Sequence, residues 1–243
     1  MAITQTTDFV GEVNISQNRF SDGDLNNFIQ LTEEKTLKQL LGEDLYLKFE
    51  ADNFGQDAGS REKYKELLNG LVYPEPLNDF NVDYTGIKRM LRLFCYYEFI
   101  KEQKYQNTII GTVEGSSRNA INSAQGVVIE VAEERQRQGV DLFDKAQKFI
   151  HDNNKKSYPT TSIFDQGGNI YLVSLSTTKY IEDGDEVTIN AKQYTVSNLI
   201  ADTSFEISET SGTIFVSNSR VEFELFPTFN GIIKKKQYLG GLF

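Results

Sequence analysis

Few residues in this chain have types and spacings that could support chemistry. One histidine, His151, and one cysteine, Cys95, exclude a Cys/His zinc site, a disulfide framework and most histidine-based acid-base catalysis. His151 falls at the end of a helical pattern, where an imidazolium would complement the helix dipole. Cys95 lies in an almost wholly apolar helix and reads as a small buried hydrophobe with an inert thiol. Asp183, Asp185 and Glu186 could ligate a hard cation through oxygen. The surrounding Ile181-Glu182-Asp183-Gly184-Asp185-Glu186, however, has the composition of a charged turn feeding a strand, which is the reading adopted. Glu133 and Glu134 could act as an acid-base pair, yet neighbouring helical residues diverge by about 100° and do not face one reaction centre. They are assigned to a solvated face or to the wall of a channel. No glycine-rich phosphate loop, dinucleotide fingerprint, nucleophile elbow or EF-hand spacing occurs. The expectation is a protein without catalytic residues, metal or cofactor.

The elements that carry these residues divide by period and by charge. The chain has 243 residues and a net charge of −10, with 39% hydrophobic and 12% aromatic residues, enough to fill one or two cores. Residues 1–160 hold 19 Lys+Arg against 25 Asp+Glu, a balance of −6, and their apolar residues recur at helical spacing. Residues 161–225 hold 3 against 10, a balance of −7, and read as short alternating strands. Residues 226–243 carry Lys234, Lys235 and Lys236 with no acid. The expected organisation is therefore α+β: a helical bundle over 1–160, a small all-β barrel or sandwich over 161–225, and a basic tail over 226–243.

Within the first segment, Ser21 and Asp24 suit a capped helix start. Leu25, Phe28, Ile29, Leu37, Leu40 and Leu41 form an interrupted apolar face that ends at Gly42. A short helix with Leu45, Tyr46 and Phe49 inward follows, then turn formers over 52–60. A helix bearing Tyr64, Leu67 and Leu68 then stops at Gly70. Pro74 and Pro76 break the chain before a helix over about 85–106 whose apolar residues, Ile87 to Ile100, nearly encircle it. Such a helix is buried at the centre of a bundle or covered by a neighbouring subunit. A Gly/Ser-rich excursion at 107–120 precedes a last helix over about 121–153, with Gly139 as a candidate bend. In the β segment the candidate strands are 170–173, 186–189, 193–196, 205–207, 213–216 and 221–225, with Asn190-Ala191 as a hairpin turn. The start of the chain lacks a basic, apolar leader and no window reaches about 20 apolar residues, so an intracellular product outside the membrane is expected. Asn14-Ile15-Ser16 is then a chance sequon.

The order of elements over residues 20–160 resembles the head-to-tail connector (adaptor, or head-completion) proteins of tailed bacteriophages. The resemblance is carried by Leu41-Gly42-Glu43-Asp44-Leu45-Tyr46, then Tyr64-Lys65-Glu66-Leu67-Leu68-Asn69-Gly70. Gly86-Ile87-Lys88 then opens an aromatic-rich helix, and a long helix closes at Tyr158-Pro159. It implies a structural virion protein that forms a neck ring, typically a dodecamer, between portal and tail and extends the DNA channel. The partners so implied are further copies of the chain, the portal, the next neck or tail ring, and double-stranded DNA passing without sequence-specific binding, with assembly in the host cytoplasm. An acidic lumen would repel phosphate. The β segment departs from the simple adaptor pattern, and crAss-like necks are similar in stacking several ring proteins. Lys234, Lys235, Lys236, Tyr238, Leu239 and Phe243 are the candidate docking residues, because terminal aromatics left in water form an apolar liability, and Glu133 and Glu134 are the candidate channel-lining charges. A second reading makes the β segment a module that attaches fibres, tail proteins or glycans through exposed aromatics such as Tyr171, Tyr180 or Tyr194, with the helices as its anchor.

Overall fold

The computed structural model describes residues 2–13, 22–75, 80–105, 121–200, 203–209 and 219–226. These form two compact units: Met1–Ser60 with Tyr64–Phe149, and Arg61–Lys63 with Ile150–Asn230. The proposed Ser21 cap, the 107–120 excursion, the 213–216 strand, the Asn14 sequon and the tail residues Lys234, Lys235, Lys236, Tyr238, Leu239 and Phe243 lie outside the described residues.

The first unit is built on helices α1 (Asp22–Leu41), α2 (Glu43–Ala51), α3 (Glu62–Asn69), α4 (Lys88–Tyr105) and α5 (Ile121–Asn153). The apolar spacing accounts for what they bury: Leu25, Ile29, Leu37, Leu40 and Leu41 from α1, Leu45, Tyr46 and Phe49 from α2, and Tyr64, Leu67 and Leu68 from α3. Of the two settings expected for the apolar α4, the structure shows the first. Leu93, Cys95, Tyr96, Tyr97 and Phe99 form a core with Leu25 and Ile29 of α1, Ala132 of α5, and Phe9 and Val13 of the N-terminal segment. Each such side chain, taken fully out of water, contributes about 1.5–3 kcal/mol, so this helix is satisfied within one chain. Gly139 does not interrupt α5. It lies where the Phe94 ring comes against the helix backbone, so close that an added Cβ would meet ring carbons at 3.2 Å.

Between α3 and α4 the chain makes a two-stranded antiparallel hairpin, β1 (Leu71–Pro74) and β2 (Asn81–Tyr84), where prolines suggested only a break. Gly70 and Gly86 clamp its two ends. Both have positive φ (+95° and +76°), and their backbones touch: a Cβ on Gly70 would collide with the carbonyl oxygen of Tyr84 and come within 2.8 Å of Gly86 N. One on Gly86 would collide with the carbonyl oxygen of Leu68 and come within 2.8 Å of Gly70 N. The Tyr84 hydroxyl donates to the carbonyl of Leu67 at 2.9 Å, and its ring stacks on Phe149 at 4.2 Å between centroids.

Among the described residues the second unit is a curled antiparallel half-barrel of seven strands: β3 (Lys155–Gly167), β4 (Ile170–Leu175), β5 (Glu186–Ile189), β6 (Lys192–Thr195), β7 (Ser197–Ile200), β8 (Ser204–Ser208) and β9 (Arg220–Glu224). Their order is β6-β5-β9-β3-β4-β8-β7. The position 160/161, where the composition changes, lies inside β3, and the longer stretch of the second unit starts at Ile150. Strand β3 pairs with β9 through Lys155–Pro159 and with β4 from Thr160 onward. Changing partners midway bends the sheet, and it places Pro159, which has no N–H to give, on a half-strand whose β4 side is unpaired. The two edge strands, β6 and β7, are separated in sequence only by Val196, whose N–H donates to Asp185 O while its carbonyl accepts from Gly184 N. The concave core holds Val173, Leu175, Val187, Ile189, Phe205, Ile207, Val221 and Phe226. The turn at Asn190-Ala191 takes positive φ at both residues (52° and 64°), as a two-residue hairpin requires.

Candidate functional site

The acidic turn is a turn. Asp183 Oδ1 accepts from Leu199 N at 2.8 Å, Asp185 Oδ2 accepts from Glu182 N at 3.1 Å, and Glu186 Oε2 accepts from Gln193 Nε2 at 3.0 Å. These oxygens are occupied in shaping the loop, and among the described residues no group of three or more His, Cys, Asp or Glu could hold a metal ion. His151 sits in the last turn of α5 beside Asp152, at 3.4 Å. Cys95 is fully buried, and desolvation pushes its thiol well above the usual range. Among the described residues no helix is long and apolar enough to cross a membrane.

On α5, Glu133 is half-buried and Glu134 exposed. The Glu134 carboxylate accepts from Arg137 at 3.2 Å and from Gln138 at 3.3 Å, so its charge is shared locally. The neighbouring Arg135 turns elsewhere: its Nε donates to Glu12 O at 3.2 Å, and its Nη1 lies 3.9 Å from the Glu12 carboxylate. Arg89 grips that carboxylate with both arms at 3.1 Å, which holds it below the usual carboxylate range. The charged face of α5 thus helps hold down residues 2–13, a role the sequence pattern did not reveal.

The second hold on this N-terminal segment explains the interruption in the α1 apolar face. Glu33, buried between the Leu25/Ile29 and Leu37/Leu40 pairs, accepts Ile3 N at 2.7 Å through Oε2, and Thr4 N at 2.8 Å and the Thr4 hydroxyl at 2.5 Å through Oε1. Burial pushes its carboxyl upward, the bonds from Thr4 and Ile3 oppose this, and the charge of Asp8 adds to it. A carboxyl whose folded pKa exceeds its unfolded value of about 4.3 binds more protons when folded, so its contribution to stability declines as pH rises through that interval. Glu33→Gln leaves one donor facing an amide NH₂, at a cost of about 1–3 kcal/mol. The deficit should be largest near pH 4 and shrink towards pH 7, read by urea unfolding at both pH values. A deficit that grows with pH would overturn this assignment.

In the second unit, Tyr194 was expected among the exposed aromatics; the structure corrects this. It is 6% exposed, because its hydroxyl donates to Glu209 at 2.7 Å. Glu209, itself 2% exposed, also accepts from Lys192 Nζ at 2.5 and 2.6 Å, and a cavity of about 410 Å³ opens beside the three residues. Burial and the Glu209 carboxylate both raise the Tyr194 phenol. Tyr171 and Tyr180 are half-buried, and Tyr180 has Lys179 and Lys156 over its ring at 4.9 and 5.6 Å.

The outer face of the half-barrel is the unexpected surface. Register places Phe164, Leu172, Glu206 and Ser197 side by side in one row. Ile170 pairs with Ser208 in the next row, and Ile200 with Ser204 in the row beyond Leu172. The opposite face of the same strands carries the buried Val173, Phe205 and Ile207, so these residues point outward. A half-solvated antiparallel sheet normally presents polar residues there. Here Phe164 is 64%, Ile200 46% and Ile170 38% exposed. Each of the three sits in a strand with too little alternation for the sequence to reveal its face.

A helical unit followed by a curled sheet with an outward apolar face is thus the class of molecule. The chain belongs to a family of unknown function, DUF6712, whose model matches residues 37–167, from the second half of α1 to the end of β3. No curated protein matches it.

Proposed function

We propose that this chain is a ring-forming structural protein of a tailed-phage neck, of head-to-tail connector type, seated between portal and tail where it lengthens the DNA channel. The observation that carries the reading is the order of the helical unit. Helix α1 is followed by the short α2 and α3, the Gly70–Gly86 junction, the aromatic α4, and an α5 of 33 residues. At 1.5 Å per residue α5 is about 50 Å long. This is the order through which the sequence resembles connectors. The net charge of −10 fits a conduit that lets DNA slide without adhering. On this reading the helical unit forms the ring, the half-barrel meets a neighbour, and the chain carries out no catalysis and needs no metal or cofactor. Glu133 is then a channel charge, with Glu134 partly neutralised by Arg137. Its place is the virion neck, assembled in the host cytoplasm.

The test is the mass of the purified chain in solution, alone and mixed with the portal protein of the same phage. A ring, or a monomer that converts to a dodecamer on the portal, is expected. A monomer indifferent to the portal would sink the proposal.

A further inference from the structure

The outward apolar face and the composition of the C-terminal segment have matching properties. Phe164, Leu172, Ile170 and Ile200 surround Glu206, whose carboxylate has no ion-pair partner among the described residues. Residues 161–225, to which they belong, hold 3 Lys+Arg against 10 Asp+Glu, a balance of −7. The one lysine run of the sequence, Lys234-Lys235-Lys236, is flanked by Ile232, Ile233, Tyr238 and Leu239 and has no acid between 226 and 243. An apolar surface around an acid calls for an apolar segment that carries cations.

The strand directions bear on whose segment it is. Strand β9 runs antiparallel to β3 and ends beside its start, with Glu224 paired to Lys155 and Phe226 N donating to Asn154 Oδ1 at 2.7 Å. Phe164 lies nine residues further along β3, about 30 Å away at ~3.3 Å per residue. The last described residues after β9 therefore lie beside the start of β3 and not beside Phe164. Lys234 to Leu239 follow Phe226 by 8–13 residues, about 28–45 Å when fully extended, so only a largely extended segment could return to the face of its own copy, whereas a second copy can bring its face to the segment directly. A donor segment on one copy and a different receiving face on the next make a head-to-tail contact, the kind that closes into a ring.

We infer that the outer face formed by Phe164, Leu172, Ile170, Ile200 and Glu206 receives the segment around Lys234–Leu239 of a second copy of this chain; the inference rests on the ring reading above and specifies its subunit contact. The aliphatic and aromatic side chains cover the apolar face, and the lysines neutralise Glu206.

Site-directed cross-linking of the full chain tests this. One preparation carries Phe164→Cys and a size tag, the other Tyr238→Cys. They are mixed and treated with a short bismaleimide, to which the buried Cys95 is inaccessible. A mixed adduct is expected, severalfold above a Leu47→Cys control placed at another exposed aliphatic residue. It should fall about threefold or more when Lys234, Lys235 and Lys236 are all changed to Ser, or in 1 M salt. A chain carrying both cysteines that cross-links only within itself would show that each copy caps its own face and would overturn the inference. A ring of correct mass with no adduct would overturn it while leaving the ring reading intact, whereas no ring and no adduct would overturn both.

Discussion

Alanine at Gly86 is expected to destabilise the helical unit by about 3–5 kcal/mol, and alanine at Gly70 by a similar amount, read as a loss of several degrees or more in the thermal midpoint. Two costs combine. At φ of +76° or +95° a side chain is strained by about 1–2 kcal/mol, whatever the space around it. The larger cost comes from the collision, because the atoms met are backbone: Leu68 O and Asn69 C on one side, Tyr84 O and Thr85 C on the other. A flexible side chain could swing away, but a carbonyl held in a helix end or a hairpin cannot. The two variants should not be additive, since the first already forces apart the surfaces that the second would. Glycines 42 and 184 also have positive φ but open space around them, so alanine there should show the strain alone. If Gly86→Ala cost no more than Gly42→Ala, the close approach would be wrong.

How much of this could be read from the sequence differs from element to element, for physical reasons. Helices α1 to α5 were legible because each buries a stripe of apolar residues at helical spacing, and even the break in the α1 stripe was visible, though not its cause. Glu33 at a core position looked like an imperfection; its partners are backbone groups of Ile3 and Thr4, about thirty residues away, which no local pattern encodes. Strands with one clean buried face, such as β5 and β9, were found. Strand β3 is not legible in the sequence, because it changes partner at Pro159–Thr160 and most of its second half is exposed, so it has neither alternation nor an apolar run. The outward face was hidden for a related reason: Phe164, Leu172 and Ile200 come together only through the pairing of four strands. The candidate tail residues rest on composition alone.

The hairpin β1–β2 was likewise missed, and what holds it gives the second large effect. Its strands have four residues each, too short to be stable alone. Their inward side chains, Tyr73 and Tyr84, close on Phe149 of α5, with ring centroids 5.6 and 4.2 Å away. Lys148, one residue earlier on α5, forms an ion pair with Glu75 just beyond β1. Phe149 is 1% exposed, so Phe149→Ala removes its burial and both ring contacts and is expected to cost about 3–5 kcal/mol. Phe149→Leu keeps most of the apolar volume and should cost about 1–2 kcal/mol. The two variants also separate packing from hairpin formation. With alanine, amides of Leu71–Tyr73 and Val82–Tyr84 should exchange faster than those of α1, because the hairpin loses its support before the helices open. With leucine they should keep nearly native protection. Uniform acceleration across α1 and the hairpin in Phe149→Ala would instead mean that the hairpin belongs to the cooperative core of the helices and that Gly70 and Gly86, not Phe149, hold it in place.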